Sequence, residues 1–193
     1  MNQITTSERS AVGAAAVPAG QYLTFMLGGE AYAIGILAIK EIIEQGQMTR
    51  VPMTPEFIRG VINLRGAVVP VIDLNARFGG RLTARERRTC IVIVEVESED
   101  DAQDVGILVD AVNEVMDIAP SDIEPAPAFG SRVSTDFIAG MAKMDEKFVV
   151  ILDLQRILAS AELAKLADIA GNPQASTCSD AVRDNRPHGE ERT

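Results

Sequence analysis

Tryptophan is absent from this chain, histidine occurs once and cysteine twice, and aromatic residues make up only 4% of it. With so few rings, the core has to be built from Val, Ile, Leu and Met. Cys90 sits in an apolar run and Cys178 in a polar stretch, while the lone His188 lies close to the C-terminus. Two distant cysteines and one histidine make neither a disulfide framework nor a Cys/His metal site. They point to a protein without metal or cofactor in a reducing cytoplasm. One histidine also excludes Ser/His/Asp and Cys/His nucleophile sets. Gly28-Gly29 and Gly79-Gly80 lack the spacing of a phosphate-binding loop. No apolar run approaches the ~20 residues that cross a bilayer, so membrane insertion is not expected. Excess positive charge is lacking too. The 18 basic and 28 acidic side chains leave a formal charge of −10, which disfavours nucleic acid as a partner.

What the chain does have is a repeat. FIRGVINLRGAVVPVIDLNARF, residues 57–78, returns without a gap as FIAGMAKMDEKFVVILDLQRIL, residues 137–158. Phe, Ile, Gly, Val, Asp and Leu are identical at equivalent places, and other pairs exchange one apolar side chain for another. Such a repeat means one supersecondary unit used twice, so two similar halves with a groove between them are expected. The match of Gly35-Ile36-Leu37 with Gly106-Ile107-Leu108, and of Glu41-Ile42-Ile43 with Glu114-Val115-Met116, extends the duplication over both halves.

Residues 1–19 are small and polar, with an Ala-rich stretch that lacks a basic lead, and read as a disordered arm. Order is expected from residue 20. Tyr22–Leu27 and Ala31–Ile34 read as strands joined at Gly28-Gly29. Ile36–Ile43 fits a short helix or a bent strand. Thr54-Pro55-Glu56-Phe57 and Ser134-Thr135-Asp136-Phe137 look like short helix starts that stop at Gly60 and Gly140. Each is followed by a hairpin, turning at Arg65-Gly66 and at Asp145-Glu146. Pro70, without an N–H, places its strand at an edge or bulge. Cys90–Val96 and Val105–Val109 read as strands around an acidic loop. A helix is expected from Gln155 to Ile169, then a polar tail. The fold class is therefore mainly β, closed barrels in two similar halves with short helices and a C-terminal helix. The domain spans residues 20–160, and 161–193 hold the end of the helix and a disordered tail.

Asp73 and Asp153 are the only acids at equivalent places in the repeat, an arrangement that invites comparison with a catalytic carboxylate dyad. Each is followed by Leu at a strand end, which instead suits a carboxylate capping the next turn. Arg81–Arg88 (RLTARERR) forms a basic run without nearby aromatic residues and reads as a solvated loop. Arg65, at a hairpin tip, is either a solvated turn residue or an interface anchor.

The segment EFIRGVINLRGAVVPVIDL resembles the signature of the CheW family of chemotaxis coupling proteins, and IEPAPAFGSRVSTDFIAGMAKMDEKFVVILDL resembles its second half. That resemblance covers roughly residues 20–160. It implies two five-stranded barrels around a hydrophobic groove and no catalytic activity. It further implies a cytoplasmic adaptor, clustered at membrane receptor arrays, bridging chemoreceptor cytoplasmic tips to the regulatory domain of the histidine kinase CheA. A scaffold of a related array, for twitching motility or gene-expression control, is the alternative. Carried over by motif, the receptor-facing positions are Ile39, Glu41, Gly60 and Arg65, and the kinase-facing one is Gly106.

Overall fold

Two β-sheets, each curled round a small core of its own and packed against the other through a third, make up the computed structural model. Residues 20–97, 102–126, 133–144 and 147–158 are described. The expected N-terminal arm, the turn at Asp145-Glu146, the helix beyond Leu158 and the C-terminal tail lie outside them.

The strands are β1 (Gly20–Leu27), β2 (Glu30–Gly35), β3 (Ile39–Glu44), β4 (Ile58–Leu64) and β5 (Ala67–Asp73), followed by the single-turn helix α1 (Leu74–Arg77). Then come β6 (Cys90–Glu97), β7 (Ala102–Val109), β8 (Ala111–Ile118), the two-residue β9 (Ile123–Glu124), β10 (Ile138–Met144), β11 (Lys147–Leu152) and the short helix α2 (Leu154–Leu158). One sheet runs β8-β1-β2-β11-β10-β9 and the other β3-β6-β7-β5-β4. The expected mainly-β class of two similar units holds, with one sheet of six strands and the other of five. Among the described residues neither forms a closed ring of strands. Instead, the chain leaving β3 returns as a single bridge, Thr49 to Val61 on the free side of β4, and the chain leaving β8 returns as β9 beside β10.

The repeat appears as two matching hairpins. Ile58 pairs with Ile72 and Ile138 with Leu152, and both ladders shift register before the glycine, Gly60 or Gly140. The Asp73 N–H donates to Phe57 O at 2.7 Å, and the Asp153 N–H to Phe137 O at 2.9 Å. Ile72 and Leu152 are both buried in the shared central core. Val69 and Val71 line the core of the five-stranded sheet, and their counterparts Val149 and Ile151 that of the six-stranded sheet.

The halves are interleaved. β2 pairs in parallel with β11, and β5 with β7, so each sheet takes strands from both halves of the chain. The register fixes the true equivalences. Val71 faces Gly106, while Ile151 faces Ala33, so Gly106 corresponds to Ala33 and not to Gly35 as the shared Gly-Ile-Leu suggests. The other match holds: Ile42 faces Val92 as Val115 faces Leu23.

Three further expectations change. Thr54 caps no helix, because its hydroxyl donates to Val51 O and the chain passes through a turn directly into β4. In the second copy the helix start is a 3-10 turn, Thr135–Phe137. Gly60 and Gly140 lie inside strands rather than after helices. Pro70 lies in an interior strand and away from the bulge. Its N–H is dispensable because β7 pairs only with Val71–Asp73, leaving Pro70 flanked by β4 alone. Ile36–Ile43 satisfies both readings, a 3-10 turn over Ile36–Ala38 followed by β3.

Between the sheets a file of rings runs Phe25, Tyr32, Phe78 and Phe137, with successive centroids 6.3, 6.2 and 6.1 Å apart. The Arg77 guanidinium lies 4.6 Å from the Phe57 ring and 5.7 Å from that of its repeat partner Phe137, so one cation serves both copies.

Candidate interaction site

Arg65 and Gly66 occupy the tip of the β4–β5 hairpin with φ of 53° and 94°. Two successive positive φ values make the tight turn whose twist matches that of the strands. The Asn63 carboxamide oxygen accepts from the Gly66 N–H at 2.8 Å and holds the turn in place. For arginine this backbone conformation is costly, by about 1 kcal/mol or more. The side chain therefore sits at the tip despite the backbone, not because of it.

From there Arg65 Nη2 reaches Glu41 Oε2 at 2.9 Å, with the guanidinium side chain 79% exposed and the carboxylate side chain 25% exposed. β3 and β4 are opposite edges of one sheet, so this ion pair spans the gap between them. In water an exposed pair contributes about 0–1 kcal/mol, too little to be a main support of the fold. It does fix where a cation and an anion stand on the surface.

Ile39 begins β3 and packs half-buried against the central core. Beside it, Lys40 ion-pairs with Glu95 and with Asp104, joining β3 to β6 and β7. The Asp104 and Glu95 carboxylates hold its ammonium above the ordinary lysine range. Leu37 is 100% exposed and Ile42 45%, so apolar surface lies along the same segment as the ion pair. Apolar anchors beside charge-assisted polar contacts are the make-up of a protein–protein interface. The sequence signal for this was available: the segment ILAIKEII has more apolar side chains than one strand face can bury.

The two glycines named from the sequence are interior. Gly60, with φ of 136°, sits where a Cβ would lie 2.3 Å from Thr49 O, the carbonyl that accepts from the Val61 N–H in the bridge closing the sheet. It keeps β4 and that returning segment in contact. Gly106 is buried in β7, where a Cβ would meet Ile91 Cγ2 at 2.8 Å. Both shape surfaces from below and offer none themselves. The structure thus brings Glu41 and Arg65 together, with Ile39 on the same strand as Glu41, and leaves Gly106 apart in the sheet.

Asp73 is sealed from solvent. It accepts from Arg59 Nη1 at 2.8 Å, from the Thr83 N–H at 2.7 Å and hydroxyl at 3.0 Å, and from the Ala76 N–H at 3.2 Å. Asp153 caps α2 through the Arg156 N–H at 3.1 Å, and Arg156 Nε lies 3.1 Å from its other oxygen. Both carboxylates are caps, as their position before a turn suggests. Arg59 has no counterpart in the second copy, where Ala139 stands, and the repeat alignment therefore hid it. No cluster of ligands able to hold a metal occurs among the described residues.

The family model for the CheW-like domain matches residues 21–162. The chain is 35% identical over 150 residues to a chemotaxis protein CheW of Klebsiella aerogenes, covering 78% of this chain and 88% of that one. It is 36% identical over 137 residues to that of Bacillus subtilis, covering 70% and 85%. Among solved structures it resembles the scaffolding protein TtCheW of Thermoanaerobacter tengcongensis, with TM-score 0.67 and 36% identity over 76% of this chain and 92% of that one.

Proposed function

The chain belongs to the CheW-like domain family, and from that premise we propose that it is a non-enzymatic scaffold of chemotaxis signalling that couples chemoreceptor cytoplasmic tips to the regulatory domain of the histidine kinase CheA. Family membership over the described core supports the scaffold role. The receptor-facing role of the Glu41–Arg65 face rests on one observation. Two positions 24 residues apart, each carried over from the family resemblance, meet in an ion pair at an exposed turn. An exposed guanidinium fixed on a stiff turn has the make-up of an interface anchor. In this reading Ile39 supports that face from half-buried packing, and Gly60 holds its frame. Gly106 acts on the kinase-facing surface only through the packing of Ile91 and Val71.

The protein then works in the cytoplasm, beneath membrane receptor arrays, and no helix among the described residues is long and apolar enough to cross a membrane. The test is titration of the full chain with a receptor-tip fragment and, separately, with the kinase regulatory domain. Saturable binding to both is expected. Binding to neither would overturn the coupling role.

A further inference from the structure

The connection from α1 to β6 carries Arg81, Arg85, Arg87 and Arg88, all exposed, in a chain whose net charge is −10. None of the four makes an ion pair among the described residues. A run of charge that serves only solvation needs no fixed backbone, yet this one is pinned along its length. The Asn75 side chain donates to Arg81 O at 2.9 Å. Thr83 is buried, bonded to Asp73 through both its N–H and its hydroxyl, while its carbonyl accepts from Arg59. The buried Thr89 donates its hydroxyl to Ala84 O and accepts from the Glu86 N–H, each at 3.0 Å. The arginines therefore project from a backbone that is already ordered, and little ordering cost remains for binding.

Leu82 lies among them, 45% exposed, and offers an apolar contact. Guanidinium groups match carboxylates two bonds at a time. Single-stranded nucleic acid takes stacking rings along with positive charge, and Arg81–Arg88 contains no aromatic residue. We propose that the Arg81–Arg88 loop docks an acidic segment of a protein partner, its arginines taking carboxylates and Leu82 an apolar side chain. The negative surface elsewhere would repel such a segment and direct it to this loop. The site is separate from the Glu41–Arg65 face. Thr83 is tied to Asp73 at the end of β5, whereas Arg65 precedes its start, and seven strand residues span about 20 Å.

The experiment is fluorescence anisotropy with the full chain and a labelled Glu-rich peptide containing one Leu, beside an oligothymidylate of equal charge. Saturable peptide binding is expected, weakening as salt rises. Arg85→Glu/Arg88→Glu should weaken it by about tenfold or more, the factor that corresponds to 1.4 kcal/mol. Arg85→Gln/Arg88→Gln should give a smaller loss, and Leu82→Ser a loss of its own. Arg65→Ala should leave peptide affinity unchanged, which separates this site from the proposed receptor face. Absence of saturation, equal binding by the charge-reversed chain with an unaltered melt, or tighter binding of the oligothymidylate would each overturn the proposal.

Discussion

Asp73 and Asp153 stand at the same place in the two copies of the repeat, yet only Asp73 is closed to solvent and holds a guanidinium from a neighbouring strand. Breaking a buried pair from one side leaves an unmatched charge and costs about 3–5 kcal/mol, whereas loss of an exposed cap costs about 1 kcal/mol. Asp73→Asn should therefore lower the denaturation midpoint far more than Asp153→Asn. Equal effects in chemical denaturation would show that the Arg59 contact contributes nothing beyond the cap.

Replacement of Arg65 separates binding from folding. Arg65→Ala should keep the melt and weaken receptor-tip binding by about ten- to thirtyfold, with a much smaller effect on the kinase regulatory domain. Arg65→Gly should bind as poorly while melting no lower, since glycine adopts the positive φ without strain. Unchanged receptor affinity in both variants would leave Arg65 as a solvated turn residue.

Gly60→Ala places a methyl against Thr49 O in a backbone conformation alanine resists, so the bridge closing the five-stranded sheet should open. A loss of about 2 kcal/mol or more in stability is expected, with any loss of partner binding following from it. A wild-type melt with selectively impaired receptor binding would instead mean that Gly60 contacts the partner directly.

Ile72→Ala and Leu152→Ala should each cost about 2–5 kcal/mol, because both side chains fill the core shared by the sheets. A near-zero cost at either site in urea titration would contradict the equivalence of the hairpins.

Burial raises the Cys90 thiol above its ordinary pKa, and the thiolate is the reactive form. In a Cys178→Ser chain, iodoacetamide should label Cys90 slowly near neutral pH and quickly once denaturant is added, as read by mass spectrometry. Since the unfolded thiol ionises first, stability from this group is intact below the unfolded pKa and falls as pH rises towards the folded value. Rapid labelling of the native chain near neutral pH would show that the site is open.

Both hairpins were legible because alternating apolar residues and a two-residue turn determine them locally, and because the second copy repeats the pattern. The short helices were not. Thr54-Pro55-Glu56 carries capping chemistry, but the Thr54 hydroxyl is spent on Val51 O, and the chain makes only one turn, closed by the Ile58 N–H on Pro55 O, before entering β4. Gly35 and Gly106 share a local tripeptide and still differ in register, because pairing in parallel with β5 or β11 is decided across the molecule. Arg65 and Glu41 were each named from the resemblance, but their meeting depends on how far the sheet curls, and no local pattern encodes that. Arg59 was hidden for the opposite reason: its partner Asp73 has a twin in the repeat, and it does not.

Interleaving also sets the order in which the protein can be made. While the ribosome has delivered only residues up to Asp73, β1–β2 and β4–β5 can pair as hairpins, but β3 still lacks β6, and β5 still lacks β7. The six-stranded sheet waits longer, since β2 is completed only by β11, near the end of the described chain. The nascent first half therefore emerges with unpaired strand edges; β3 and β5 can find their partners once β6 and β7 are made, while β2 waits for β11. A duplicated chain that exchanges strands in this way folds as one unit, and its first half exists until then as a set of hairpins awaiting the second.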